Sequence, residues 1–257
     1  MLAGERLERV LERINATGKV SAIELAAEFG TSEDTIRRDL RDLAGRGLCR
    51  RVYGGALRNS PASGSAAVRA TENLQGKRAL GEALAQLVIP HQFVFIDAGT
   101  TNLAAAQALP AGLQLTVATH DPAIAAVLSR REDIDLIVIG GRVDPFIGAA
   151  IGVEAVRAVS RLRPELLLLG ACALDGEAGI GVFRSEDAEM KRLLVERCGS
   201  VATAMLSEKL SASAPFWVGP ASMVSDLVVE HDASNDMVKA ISAHGVRVHR
   251  IEHWAVL

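Results

Sequence analysis

The chain has only three cysteines among its 257 residues and no long run of apolar residues. Cys49, Cys172 and Cys198 are odd in number and widely spaced, which argues against a disulfide framework and against a zinc site. No apolar stretch approaches the eighteen or so residues of a membrane span. Glu5 and Arg6 lie where a signal peptide needs an apolar core. We therefore expect a cytoplasmic protein that contacts no membrane and holds neither a metal nor a cofactor.

The chain also has little net charge, formally -3 at pH 7, and this charge is unevenly distributed. Residues 1–57 hold ten Lys and Arg against nine Asp and Glu, which leaves -4 for the rest of the chain. Within residues 31–58, seven arginines face four acidic residues. A hydrophobic content of 49% at this length indicates folded cores and room for two domains. The distribution is typical of a DNA-binding head on an acidic body, whose repulsion from phosphate limits indiscriminate binding.

Residues 31–43 predict a helix with two different faces. On a 3.6-residue period, Ile36, Leu40 and Leu43 lie on one apolar stripe. The opposite side carries Asp34, Arg37, Arg38 and Arg41. Such a charge run is most often a solvated helix face, so the flanking segments decide how it is interpreted.

The flanking segments predict a winged helix-turn-helix. A capping box at 21–24 opens a short helix that ends at Gly30, and either of the next two residues can cap the helix that follows. An earlier helix, at 5–16, has the apolar spacing needed to share a core with the other two. The basic, β-capable run 48–57 contains a Gly-Gly turn, as a wing hairpin does.

Thr35-Ile36-Arg37-Arg38-Asp39-Leu40, followed by residues 47–56, resembles the N-terminal signature of DeoR-type bacterial transcriptional regulators in order and spacing. The resemblance implies a head that binds double-stranded operator DNA through its third helix and its wing. The residues implied in DNA binding are Ser32, Thr35, Arg37, Arg38, Arg41, Arg50 and Arg51. Because the head has little net charge, we also expect two heads to be paired in a homo-oligomer, a dimer or a tetramer.

Between Arg58 and Thr71 the composition changes to Ser, Pro, Gly, Ala and Asn, which is typical of a linker. We predict a winged helix-turn-helix domain at 1–57, a linker at 58–72 and an effector domain at 73–257. After a helix at 73–88, mostly continuous apolar runs alternate with helices, as strands buried on both faces of a parallel sheet do. These runs are 93–96, 115–118, 134–139, 166–169, 201–206, 227–229 and 246–251. The predicted fold class is α/β: a small winged helix-turn-helix head and a larger three-layer α/β domain.

Ligands of open α/β sheets gather beyond the carboxyl ends of the strands. The loop after 93–96 reads Asp97-Ala98-Gly99-Thr100-Thr101-Asn102 and leads into a helix. A glycine, two hydroxyls and free backbone N–H groups at a helix N-terminus can hold a phosphate. An ordinary capped turn contains the same residue types, so this loop alone leaves both interpretations open.

This loop resembles the Asp-Ser/Ala-Gly-Thr-Thr motif of the DeoR-type effector domain, whose fold is similar to that of ribose-5-phosphate isomerase. Later loops resemble the family too, although His120 replaces its usual Asn and is equally compatible with a surface loop. Cys172 is expected to be a buried thiol, and Lys191 to lie on a helix surface, where it can form a structural ion pair. The resemblance implies a bound sugar phosphate, with candidate effector-binding residues Asp97, Gly99, Thr100, Thr101, His120, Gly141, Arg142, Asp175 and Lys209.

The sequence therefore predicts a transcriptional regulator, a repressor of a carbohydrate-metabolism operon that responds to a phosphorylated sugar. An alternative is an isomerase-like enzyme that carries a DNA-binding head, because related isomerases use carboxylates and a lysine for proton transfer. Asp97, Asp175, Asp187 and Lys209 are the residues that raise it. The intact head favours a sensor, so we expect no catalytic residue.

Overall fold

The computed structural model describes residues 2–62 and 64–251. Ser63, in the predicted linker, and residues 252–257, at the end of the predicted effector domain, lie outside the described residues. Within the described ranges, no helix combines the length and the apolar character needed to cross a lipid bilayer.

The N-terminal head combines a helical core with a small β-sheet. Its elements are α1 (Ala3–Thr17), β1 (Lys19–Ser21), α2 (Ala22–Phe29), α3 (Glu33–Gly45), β2 (Cys49–Val52) and β3 (Gly55–Asn59). The helices meet in one core, in which Ile14, Leu25, Ile36 and Leu40 are at most 2% exposed. β2 and β3 pair as an antiparallel hairpin. The predicted helix-turn-helix and wing are therefore confirmed.

The turn between α2 and α3 has the predicted backbone, but one predicted cap does not form. Gly30 ends α2 in the left-handed region at φ 60°, which glycine adopts without a Cβ clash. Ser32 caps α3 by accepting a hydrogen bond from the amide three residues later. The predicted capping box is wrong, since the Ser21 side chain makes no cap hydrogen bond. The chain enters α2 from β1, and the Ala22 N–H already donates to the Gly54 carbonyl at 2.8 Å.

The rest of the described chain alternates strands and helices around one parallel sheet. In order, its elements are α4 (Ala66–Arg69), α5 (Leu74–Ala85), β4 (Phe93–Ile96), α6 (Thr100–Ala108), β5 (Leu115–Thr119), α7 (Pro122–Leu128), β6 (Ile134–Val138), β7 (Arg142–Asp144), β8 (Ala149–Ile151), α8 (Val153–Val159), β9 (Leu166–Leu169), β10 (Ala173–Asp175), β11 (Gly179–Val182), α9 (Ser185–Arg197), β12 (Ser200–Met205), β13 (Ala212–Ser213), β14 (Phe216–Gly219), β15 (Asp226–Val229), α10 (Asn235–Ser242) and β16 (Arg247–Arg250). Seven strands form the main sheet in the order β16-β15-β12-β9-β4-β5-β6, and every neighbouring pair is parallel. These are the seven predicted strands, each within one residue of its predicted bounds.

Alternate residues of the sheet face opposite helical layers. Val94 and Ile96 of β4 pack in a core with α5, α6 and α7, whereas Phe95 between them packs in a core with α8, α9 and α10. All three side chains are fully buried. Burial on both faces explains why the strands read as continuous apolar runs, and the predicted three-layer α/β domain is confirmed.

The sequence pattern misses the short strands outside the main sheet. β7 pairs with β8, and β10, β11 and β14 form a second antiparallel sheet. Each of these strands has only three or four residues. Runs of this length are too short to show a reliable period of two.

The head is joined to the larger domain by strand pairing. β13 pairs in parallel with the end of β3, at Arg58 and Asn59. The segment 58–72, predicted as a linker, therefore begins as a strand, continues with Ser60 and Ala62 buried, and then forms α4. Its small residues allow close packing here. The domain boundaries themselves stay a prediction.

Candidate DNA-binding surface and ligand cleft

The outward face of α3 carries the predicted DNA-contacting arginines. Arg37, Arg38 and Arg41 are exposed, while the apolar stripe of the same helix is buried in the head core. Arg37 forms an ion pair with Glu33, with 2.6 Å between Nη2 and Oε1. Arg38 and Arg41 form no ion pair with any residue of the described chain. Their guanidinium groups are therefore available to phosphates or base edges.

The remaining DNA-binding candidates lie at the start of α3 and on the wing. Ser32 Oγ and Thr35 Oγ1 are 2.8 Å apart in the first turn of α3, the part of a recognition helix that contacts base edges. Arg51 is exposed on β2. Arg50, the preceding residue of β2, lies on the opposite face of the strand. Its Nη1 donates to the Ala214 carbonyl at 2.6 Å. Six of the seven candidates thus lie on the surface of the head, and Arg50 lies at its junction with the larger domain.

A buried ion pair that sequence analysis missed orients α3. Arg6 of α1 contacts both carboxylate oxygens of Asp39, at 2.5 Å from Nε and 3.1 Å from Nη2. The two side chains are only 15% and 8% exposed. Two parallel hydrogen bonds restrict geometry more than a single contact does. The pair therefore sets the rotation of α3, and with it the direction of the arginines on its opposite face.

A cleft opens where the carboxyl ends of β4, β9 and β12 meet, at the centre of the main sheet. Its walls include the loops 98–102 and 170–172, which follow β4 and β9. The charged residues that line it are Arg69, Asp187, Lys191 and Lys209. This is the position at which ligands of open α/β sheets bind.

Helix α6 begins in this cleft without a side-chain cap. Gly99 is its N-cap residue, with φ 154°, a value that favours glycine. The N–H groups of Thr100, Thr101 and Asn102 have no acceptor within the helix, because the first turn lacks preceding carbonyls. All three residues line the cleft. Unsatisfied N–H groups and the positive end of the helix dipole together favour an anion.

Lys209 lines the same cleft without a partner. It is only 9% exposed, and its ammonium makes no hydrogen bond or ion pair with any described residue. Burial lowers the pKa of Lys209, and the positive charge of Arg69 lowers it further. An unpaired buried charge is unfavourable unless a bound group compensates it. The cleft is therefore electrostatically suited to an anion.

A buried ion network supports the cleft from beneath. Lys191 Nζ lies 2.7 Å from Asp97 Oδ2 and 2.9 Å from Asp187 Oδ1. His120 Nε2 lies 2.9 Å from Asp97 Oδ1, and the Gly170 N–H donates to Asp97 Oδ2 at 2.8 Å. None of the four side chains in the network is more than 10% exposed. The network therefore fixes the end of β4, the start of the β9 loop and one face of α9 relative to each other.

Asp97 and Lys191 keep their charges at neutral pH. Burial raises the pKa of Asp97, but the charge of Lys191 and the hydrogen bond from His120 outweigh burial and lower that pKa to about 2. Burial lowers the pKa of Lys191, yet the two carboxylates outweigh burial and raise it. Burial raises the pKa of Asp187. A general base is effective when its pKa is near the working pH, so Asp97 is poorly suited to proton transfer at pH 7.

The structure brings only some of the predicted effector-binding residues to the cleft. Those that line it are Gly99, Thr100, Thr101 and Lys209. Asp97 lies in the network beneath. His120 is 1% exposed and lies behind Asp97, with its Nδ1 2.8 Å from the Ala150 carbonyl oxygen. The alternative that His120 is a surface residue is therefore wrong.

The other predicted effector-binding residues do not line the cleft. Asp175 is buried in the hairpin of β10 and β11, where its Oδ1 accepts hydrogen bonds from two turn amides. Gly141 and Arg142 follow β6, an edge strand of the main sheet. The Arg142 side chain is 64% exposed and lies 3.5 Å from Glu186. None of the three lines the cleft.

Three charged residues of the cleft were not among the predicted effector-binding residues: Arg69, Asp187 and Lys191. The expectation that Lys191 lies on a helix surface is wrong, because it is 2% exposed, whereas the expected structural ion pair is present with Asp97 and Asp187. A signal was present, since Asp187 and Lys191 share one helical stripe with the apolar Leu194, which is fully buried. Arg69 had no comparable signal in a segment of linker composition.

Cys172 lines the cleft as a buried thiol, as expected from the sequence. Burial raises the pKa of this thiol, which keeps it protonated at neutral pH. Within the residues that the structure describes, no group of three His, Cys, Asp or Glu side chains is arranged to hold a metal ion.

Comparison with solved structures finds ribose 5-phosphate isomerase A from Neisseria gonorrhoeae, with a TM-score of 0.40 and 14% identity over 58% of this chain and 57% of that one. Comparison with curated proteins finds closer relatives. The HTH-type transcriptional regulator GlpR of Haloferax volcanii is 34% identical over 203 residues, 78% of this chain and 79% of its own. The glycerol-3-phosphate regulon repressor of Escherichia coli K12 is 27% identical over 245 residues, 95% of this chain and 97% of its own.

Models of protein families match both parts of the chain. Residues 6–62 match the DeoR-like helix-turn-helix domain, and residues 72–231 match the DeoR C terminal sensor domain. The relatives are named as regulators, not as enzymes. The chain therefore belongs to the DeoR family of transcriptional regulators.

Proposed function

We propose that the protein represses a carbohydrate-metabolism operon and that a phosphorylated sugar, bound in the cleft, modulates its binding to operator DNA. The observation that carries this proposal is the presence, in one cleft, of an uncapped helix N-terminus and the buried, unpaired Lys209. Both favour a phosphate, and the Thr100 and Thr101 hydroxyls add hydrogen-bond donors. The name of the E. coli relative, a glycerol-3-phosphate regulon repressor, supports the same class of ligand.

The opposite wall of the cleft suits the hydroxyl groups of a sugar. Asp187 lines the cleft, and its carboxylate can accept hydrogen bonds from hydroxyls while Lys191 balances its charge. A phosphate at α6 and Lys209, with hydroxyls at Asp187, would use both walls. This arrangement favours a phosphorylated sugar over free phosphate.

Operator binding is proposed to need paired heads. A recognition helix reads only a few base pairs, and helix-turn-helix proteins join two half-sites through a dimer. We therefore propose a homo-oligomer, located in the cytoplasm, in which the effector favours one relative arrangement of the heads. The heads would exchange between an arrangement that fits the operator and one that does not. An effector shifts the equilibrium between these two arrangements only by its difference in affinity for them.

Arg38→Ala is expected to weaken operator binding by about 1–3 kcal/mol, because a bidentate contact between arginine and guanine contributes about that much to discrimination. The measurement is fluorescence anisotropy with operator DNA at several salt concentrations. Arg51→Ala on the wing should instead weaken binding to all sequences and reduce the salt slope by about 1, as loss of a phosphate contact does.

Arg9→Ala is the matched control for lost charge. Arg9 is an arginine of α1 that is 56% exposed and paired with Glu5, and it is not one of the DNA-binding candidates. Its removal should leave operator affinity within about twofold of the parent. If Arg38→Ala behaved like Arg9→Ala, α3 would not be the element that reads DNA.

A thermal-shift screen with phosphorylated sugars and their unphosphorylated parents tests the ligand. At a concentration 100 times its dissociation constant, a true effector should stabilise the native protein by about 2.7 kcal/mol. Only the phosphorylated member of each pair should do so, and the same compound should change operator affinity. Stabilisation by the parent sugar alone, or turnover of the phosphorylated sugar, would contradict the proposal.

A further inference from the structure

We propose that Arg69 binds the anionic group of the effector together with Lys209, so that an occupied cleft acts on the two segments that hold the head, residues 58–72 and 207–214. This inference rests on the proposed function for the nature of the ligand. It assigns a binding role to a residue of the predicted linker.

Arg69 lines the cleft and has donors that no described residue uses. A guanidinium carries five N–H groups. The hydrogen bonds of Arg69 come from Nη2 alone, at 3.3 Å from the Phe146 carbonyl and 3.4 Å from the Ile147 carbonyl. Its Nε is buried and has no hydrogen-bond partner within the described residues. Buried donors without partners are rare in native structures, so an additional group is expected here.

No carboxylate of the described chain neutralises this side chain, since Arg69 forms no ion pair. A second cleft lies beside the first, between the segment 58–72, the start of α5 and residues 206–209. Its two acidic residues, Glu72 and Glu208, are both exposed to solvent. Arg69 and Lys209 line both clefts, so they form a shared wall. Two cations at one wall repel each other, and a phosphate between them converts this repulsion into attraction.

Arg69 connects the cleft to the segment that leaves the head. It is the last residue of α4, and Lys77 of α5 holds the end of that helix by donating to the carbonyls of Arg69 and Glu72. Nearer to the head, Ser60 donates its hydroxyl hydrogen bond to the carbonyl of Cys172, which also lines the cleft. The segment 58–72 is therefore in contact with the cleft at both of its ends.

Lys209 connects the cleft to the strand that pairs with the wing. It is followed closely by β13, which extends the wing sheet by pairing with Arg58 and Asn59 of β3. The Arg58 guanidinium donates to the carbonyl of Glu208, next to Lys209. A ligand that contacts both Arg69 and Lys209 thus acts on both segments that hold the head, residues 58–72 and 207–214. If these contacts differ between two positions of the head, the ligand binds the protein more tightly in one position than in the other.

The test measures binding of inorganic phosphate to the full-length protein by calorimetry at constant ionic strength. Arg69→Gln should bind phosphate about 10- to 100-fold more weakly than the parent, because hydrogen bonds to charged groups contribute about that much to affinity. Lys209→Met should show a similar loss. Arg163→Gln is the matched control, since Arg163 is an exposed arginine just before β9, at the end of the sheet away from the cleft, and the phosphate affinity of this variant should be unchanged.

Hydrogen exchange distinguishes a binding role of Arg69 from a structural one. Phosphate should change the exchange of amides in residues 55–60 and 211–214 of the parent. In Arg69→Gln this change should be absent even when the phosphate concentration is raised to restore occupancy. Arg69→Lys keeps the charge without the planar fork and should give intermediate affinity. It also guards against a Gln variant that fails to fold.

The outcomes separate this inference from the proposed function. If Arg69→Gln bound phosphate as well as the parent while Lys209→Met did not, Arg69 would have no binding role and the sugar-phosphate proposal would stand. If Arg69→Gln lost phosphate but no sugar phosphate bound better than its parent sugar, the inference would stand and the proposed effector class would be wrong. Absence of phosphate binding to the parent protein would overturn the inference.

Discussion

Lys191→Met is expected to lower the free energy of unfolding by about 3–5 kcal/mol. The substitution keeps most of the side-chain volume but leaves Asp97 and Asp187 buried without their shared cation, and breaking a buried ion pair from one side carries a cost of about this size. Asp97 and Asp187 are 0% and 7% exposed, so water compensates little. Urea unfolding followed by circular dichroism measures the change.

Lys239→Met on α10 is the matched control, because Lys239 is exposed. It should change the free energy of unfolding by less than about 0.5 kcal/mol. Equal effects of the two substitutions would mean that the network contributes nothing to stability.

The loss of stability caused by Lys191→Met should depend on pH. In the parent, the pKa of Asp97 is about 2, below its ordinary value of 3.8, so its contribution to stability is present above pH 4 and is lost as the pH falls from about 4 to 2. Without Lys191, burial raises the pKa of the carboxyl groups in the folded state. Protonation at low pH then removes the free-energy cost of burying these groups in their charged form. The difference in the free energy of unfolding between variant and parent should therefore be largest near pH 7 and should shrink towards pH 4.

Gly99→Val is expected to abolish the response to sugar phosphate, with at least a hundredfold loss of affinity, while operator binding persists. The backbone at Gly99, with φ 154°, is one that residues with side chains rarely adopt. An added Cβ meets only the Gly170 Cα, at 3.8 Å, so the side chain has room and occupies cleft space in front of the α6 amides. The measurement is operator binding with and without the best compound from the thermal-shift screen.

Gly112→Val separates backbone strain from loss of the site. Gly112 has φ 81° and open space around its Cβ position, and it precedes β5, at the end of the sheet away from the cleft. The Gly112→Val protein should lose about 1–2 kcal/mol of stability and retain the full ligand response. A Gly99→Val protein that still responded to ligand would place the effector elsewhere, with Arg142 as the next candidate.

Local patterns in the sequence determined the elements of the fold. All seven strands of the main sheet are visible as apolar runs, because strands buried on both faces need no partner-specific residues. The cap at Ser32 and the left-handed turn at Gly30 are equally local. The glycine and threonines at 99–101 were identified by their position after a strand and before a helix. Each of these features depends on a short stretch of chain.

The tertiary structure alone decided which charged residues meet. Asp97 and Lys191 are 94 positions apart, and their contact depends on the packing of α9 against the sheet. Arg69 belongs to a segment whose composition predicts flexibility, yet the segment packs because β13 supplies a partner strand for the end of β3. Burial of charge is favourable only when its partner is present, and the partner's position is a property of the whole fold. The sequence by itself therefore determined the architecture and the glycine-threonine loop at the start of α6, whereas the ion network and the connection between cleft and head were decided by contacts between distant residues.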